Sequence, residues 1–102
     1  MSSSKFVVIV PFAPSVSQTA LTQLAIQSGW GWWHWGTDTW LLTAAESLDA
    51  VQLREKISAI VPGIKFIVVK VQPSKEGANW AALGPVTWGH WFTEAWEKRN
   101  AL

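Results

Sequence analysis

Two histidines sit among tryptophans in this chain, His34 within Trp32-Trp33-His34-Trp35 and His90 within Trp88-Gly89-His90-Trp91. An imidazole surrounded by indoles has the chemistry to stack on a base, to ligate haem or to move a proton. It also has a plainer use. On the two-residue period of a strand, Trp30, Trp32 and His34 share one face and Gly31, Trp33 and Trp35 the other, so His34 reads first as a packed or interfacial side chain. His90 falls at the side of a helical stripe, and neither histidine has a second ligand at fixed spacing, so no metal is expected. The nine Trp, with no Tyr beside them, have three uses. Burial in a core or dimer interface ranks first, because each indole brings a large apolar surface. A stacking platform for single-stranded nucleic acid or a nucleotide ranks second, and carbohydrate stacking third. The second use wants cations next to the rings, and Lys5, Lys65 and Lys70 lie on strand-like runs able to flank them. The candidate binding residues are therefore Trp33, His34, Trp35, Lys5, Lys65 and Lys70.

Other chemistries find little to build on. The chain has no Cys, which removes disulfides, thiolate metal sites and a Cys nucleophile together. Gly29, Gly31 and Gly36 are too irregularly spaced for a phosphate loop, and no Lys-Ser or Lys-Thr pair follows them. Glu46, Asp49, Glu55, Glu76, Glu94 and Glu97 fall mostly at helix starts, solvent faces or loops, and Glu94 with Lys98 forms an ordinary i, i+4 pair. A net charge of +1 gives no overall field toward nucleic acid or an anionic membrane, so any such binding has to be local.

The elements that must position these residues follow from pattern. With 102 residues, 49% hydrophobic and 15% charged, the chain fits one folded domain. Lys5 to Phe12 is β-branched and aromatic and ends at Pro11 and Pro14, which marks a first strand. Ser15 to Gln27 carries Leu21, Leu24 and Ala25 at helical spacing, with Ser15 or Ser17 as N-cap and Gly29 beyond its end. Trp30 to Trp35 and Thr39 to Ala44 pair across Gly36-Thr37-Asp38 as a hairpin. Ser47 to Val61 is a second helix capped by Ser47 and stopped by Pro62-Gly63. Ile64 to Val71 is a fourth strand, and Gln72 to Val86 reads as a loop. A last helix runs from Trp88 to about Arg99 behind a Thr87 cap, with Trp88, Trp91, Phe92, Ala95 and Trp96 on one stripe.

The order β-α-β-β-α-β predicts an α+β fold, a ferredoxin-like βαββαβ antiparallel sheet with an extra C-terminal helix. The whole chain, 1–102, is one domain, with a core over 5–72 and the loop and Trp-rich helix over 73–102. A sheet covered on one side should alternate apolar and polar residues. Here Phe6, Val8 and Val10 oppose Val7 and Ile9, and Phe66 and Val68 oppose Ile67, Val69 and Val71, so both faces are apolar. Two helices dry one face; the C-terminal helix, a second subunit or both must meet the other. A homodimer is the expectation. The apolar run Phe6 to Val10 is too short to span a membrane and shows no small-residue cleavage site, so a soluble, cytoplasmic protein is expected.

The segments Trp32-Trp33-His34-Trp35, Asp38-Thr39-Trp40-Leu41-Leu42, Leu53-Arg54-Glu55-Lys56-Ile57 and Asn79-Trp80-Ala81-Ala82, with Trp88 to Trp96, resemble the small SinR-like proteins. That group is similar in fold to the CRISPR-associated adaptation endonuclease subunit and to virulence-associated ribonuclease toxins. The resemblance covers most of the chain after residue 29 and implies a ferredoxin-like homodimer without a settled activity. The nuclease relatives carry a metal-holding Asp at the end of the first strand; here the place is Val10-Pro11-Phe12-Ala13, and no Asp or Glu precedes Asp38. Metal-dependent cleavage by the relatives' route is not expected. The sequence thus points to a non-catalytic dimeric binding protein without a cofactor, its ligand class nucleic acid or a nucleotide, and the resemblance implies a defence or mobile-element setting. Two alternatives stay open: a small dimeric α+β barrel enzyme with an aromatic and His pocket, and a purely structural protein-interaction module.

Overall fold

The computed structural model describes residues 4–34, 36–44 and 47–97. Strand β1 (Ser4–Ile9) leads into helix α1 (Ser15–Ser28); β2 (Gly31–Trp33) and β3 (Thr39–Ala44) follow, then α2 (Ala50–Ile60), β4 (Ile67–Val71) and α3 (Val86–Trp91). Helix α3 runs on into a π-helical turn, Phe92–Glu97. The result is an α+β fold with a four-stranded antiparallel sheet in the order β2-β3-β1-β4.

Local chemistry sets the boundaries, and it differs from the sequence reading at the caps. Helix α1 begins directly after Pro14 with no side-chain cap; Ser15 is already helical and Ser17 is buried inside the helix, so neither serves as N-cap. Gly29 ends α1 as expected, at φ 72, a left-handed conformation from which its N–H returns to the carbonyls of Ala25 and Ile26. In α2 the cap is Asp49 rather than Ser47: the Asp49 carboxylate accepts from the Gln52 N–H while the Gln52 side chain accepts from the Asp49 N–H. This reciprocal pair satisfies two donors that a helix start otherwise leaves open. Helix α3 starts behind Pro85 without a side-chain cap, so Thr87 is not its cap either. The expected end near Arg99 lies outside the described residues, as do Trp35 and Glu46. Strands β1, β2 and β4 are shorter than expected.

Register places every strand residue on a face. Pairing of Phe6 with Leu42 and Lys70, and of Val8 with Trp40 and Val68, defines the inner face. There Phe6, Val8, Val10, Trp40, Leu42 and Ala44 pack against Leu21 and Ala25 of α1 and Leu53 and Ile57 of α2. This is the core, and both long helices lie on it. The outer face carries two cross-strand rows, Val71-Lys5-Thr43-Gly31 and Val69-Val7-Leu41-Trp33, and a third of Ile67, Ile9 and Thr39.

The outer face is covered in part. Rings of the C-terminal segment lie on it at the β2 end: Trp33 meets Trp88 edge-on at 5.7 Å and Phe92 at 6.5 Å. The π-helical turn suits this packing, because its wider winding brings residues five apart together, and Trp91 and Trp96 stand 5.7 Å apart while Phe92 and Trp96 meet at 5.9 Å. Toward β4 the cover stops. Ile67 remains 56% exposed, Val69 48% and Ile9 36%.

Candidate functional site

Of the residues singled out from sequence, Trp33 and Lys5 come to the same outer face, beneath the C-terminal segment. Trp33 is half-buried under Trp88 and Phe92, so its ring is not offered to solvent as a platform. Lys5 is only 3% exposed. Its ammonium stands 5.3 Å from the centre of the Trp96 ring, a cation over a π face that partly replaces lost water. Among the described residues no hydrogen-bond partner reaches its Nζ. Burial pushes the Lys5 ammonium below its ordinary lysine range, and the nearby Glu97 carboxylate opposes that shift. Glu97 itself accepts from Trp80 Nε1 at 2.8 Å.

His34 belongs to a different neighbourhood. It follows β2 on the inner side, stacked on the fully buried Trp40 at 3.8 Å with the rings 4° from parallel. Its Nδ1 lies 2.9 Å from the Thr39 carbonyl oxygen and its Nε2 3.2 Å from Gln18 Oε1. Gln18 in turn donates from Nε2 to the Ala13 carbonyl at 3.1 Å. This chain of contacts ties the β1–α1 loop, helix α1 and the turn before β3 together, which is the packed role read for His34 from the strand period.

The remaining cations stand apart from the tryptophans. Lys70 is half-buried on β4 in register with Phe6, on the inner side, and Lys65 is exposed ahead of β4. Trp35 lies outside the described residues. The six candidate binding residues therefore do not form one surface. His90 is exposed on α3, and among the described residues no group of three or more His, Asp or Glu side chains comes together.

Three features were not legible as site residues. Thr43, directly across from Lys5 in register, is fully buried with its Oγ1 unpartnered; alternation in Thr39 to Ala44 places it opposite Leu42, and only the pairing with β1 shows what it faces. Asp38 meets the end of β1 through its carbonyl, which accepts from the Val10 N–H at 2.7 Å, while its carboxylate accepts from Thr37 Oγ1 at 2.8 Å. An acidic residue thus reaches the end of the first strand from the hairpin turn, which linear order hides. Phe12 holds a φ of 56 and is 94% exposed, an aromatic side chain presented by a backbone conformation that disfavours it.

Comparison of the chain with protein-family models, with curated proteins and with solved structures gave no match.

Proposed function

We propose that the protein is a non-catalytic binding domain of the ferredoxin-like kind that works as a homodimer, with nucleic acid or a nucleotide as its ligand class. The observation that carries the dimer is the open strip of the outer face. Ile67 pairs with Ile9 and Val69 with Val7, so the exposed side chains form one continuous apolar patch beside the edge of β4 that pairs with no other strand among the described residues. Contiguous apolar surface of this kind marks an interaction site. A second copy presents the same strip, and two such strips are self-complementary about a two-fold axis.

The sheet order β2-β3-β1-β4, with β1 between β3 and β4, supports the ferredoxin-like arrangement; the defence or mobile-element setting rests on the resemblance to the SinR-like proteins alone. The nucleic-acid or nucleotide reading draws on Trp33 and Lys5 sharing the outer face. An enzyme with an aromatic and His pocket is less well supported, because both His34 nitrogens are engaged and its ring is stacked on core Trp40. Light scattering coupled to size exclusion tests the proposal: a mass of twice 11.3 kDa at micromolar concentration is expected, and a monomer throughout would overturn it.

A further inference from the structure

Lys5 and Thr43 are neighbours across β1 and β3 on the outer face, and both are buried with a polar atom that finds no hydrogen-bond partner among the described residues. Trp33, one row along on β2, adds a third, its indole Nε1. A buried ammonium, hydroxyl and indole N–H without hydrogen bonds on one patch of sheet is costly, since none has a hydrogen bond in place of water and the Trp96 ring makes up only part of the loss at Lys5. Buried groups of this kind call for an explanation beyond packing. All three are donors. A multi-oxygen anion is the ligand that takes several donors at once, and the surrounding walls are rings: Trp96 over Lys5, and Phe92 and Trp88 over Trp33.

We propose that Lys5, Thr43 and Trp33 form the floor of a site for a phosphate carried on an aromatic base, and that Trp96 and its helical segment occupy the place of that ligand in this structure. The proposal rests on the reading of the protein as a nucleotide or nucleic-acid binding domain, and names the site where that binding occurs. The ligand's phosphate takes the ammonium and the hydroxyl, and its base takes the ring contacts that the C-terminal segment now supplies. The cover is held by ring contacts, by the Trp80 to Glu97 hydrogen bond and by Trp88 lying against Gly84 so closely that no Cβ fits there. Lifting it exposes Trp33, which makes tryptophan emission a direct reporter.

Thermal unfolding and tryptophan fluorescence of the full chain are measured with ATP, with a short oligodeoxythymidine and with inorganic tripolyphosphate, against sodium chloride of matched ionic strength. A rise in Tm of about 5 °C or more near saturation with quenching is expected for the wild type with ATP or the oligonucleotide. The relative size of the two responses tells free nucleotide from strand. Both responses should be lost in Lys5→Met and Thr43→Val and kept in Lys65→Met. An equal response in Lys5→Met and Thr43→Val would remove this site while leaving the binding-domain reading intact. No response in the wild type would remove both. A response to tripolyphosphate equal to that to ATP would overturn the aromatic half of the ligand.

Discussion

Ser4 satisfies both main-chain polar groups of one residue with a single hydroxyl: its Oγ accepts from the Leu48 N–H at 2.8 Å and donates to the Leu48 carbonyl at 3.2 Å. The pair is buried and joins the first residue of β1 to the approach to α2, 44 positions away in sequence. Ser4→Ala leaves a buried donor and acceptor open at once, so we expect a loss of about 2 kcal/mol, read from urea unfolding midpoints. Lys5, the next residue, behaves in the opposite sense. Its folded-state proton affinity is held below the ordinary lysine value by burial, whereas the unfolded chain keeps the ordinary one. Between those two values the unfolded state binds more protons, and stability therefore rises with pH across that window. Below it both states are charged and the desolvation cost stands in full. The field of the Glu97 carboxylate works against this depression, but burial is the larger cause and sets the sign. Unfolding free energy measured from neutral to alkaline pH should climb in the wild type and stay flatter in Lys5→Met, the comparison cancelling the other titrating groups. A wild-type curve that falls in parallel with the variant would contradict the burial of the ammonium.

Helix α2 shows how one element is specified and how it can be undone. Its buried residues are Leu53 and Ile57, one turn apart on the face toward the core, and its start is fixed by the Asp49 and Gln52 reciprocal bonds. Asp49→Ala should cost about 1 kcal/mol, and in a Gln52→Ala background it should cost less, because the two contacts act as one cap. A double-mutant cycle on chemical denaturation checks this. Helices α1 and α2 were legible because their apolar spacing is paired with strong stops, Gly29 and Pro62-Gly63. Caps were harder: Ser47 and Asp49 are both competent, and the choice between them depends on which backbone N–H each side chain reaches. The inner site was legible too, since strand period alone put His34 on the side opposite Trp33. The outer patch was legible only in part: Trp33 and Lys5 stand out in sequence, whereas Thr43 looks like a single polar interruption of an apolar strand and becomes the neighbour of Lys5 only through the β1 to β3 register. The stripe of Trp88, Trp91, Phe92, Ala95 and Trp96 demanded a surface to lie on, but the π-helical turn that lets Trp91 and Trp96 touch has no signature in an i, i+3, i+4 pattern.

At the scale of the whole molecule the sheet has two apolar sides and unequal cover. The inner side is dried by α1 and α2; the outer side is shared between the C-terminal rings and open surface at β4. Were the C-terminal segment the only intended cover, the strip at Ile9, Ile67 and Val69 would serve no purpose and β4 would carry polar residues there, as exposed edge strands usually do. Val69 sits between the two exposed isoleucines and half-buried Val7 and Val71, so it is the position where a charge disrupts the strip most while touching the inner core least. Val69→Lys should therefore separate assembly from folding. We expect the variant to keep its circular dichroism spectrum and to change Tm, measured at dilution where the wild type is monomeric, by little. Its self-association should weaken by at least about tenfold, the minimum for one desolvated charge placed in an apolar interface. Light scattering across a concentration series reads that change. A variant that dimerises like the wild type would place the interface elsewhere, for instance on the charge-free outer side of α1 near exposed Phe12 and Val16, and the open strip at β4 would need another occupant.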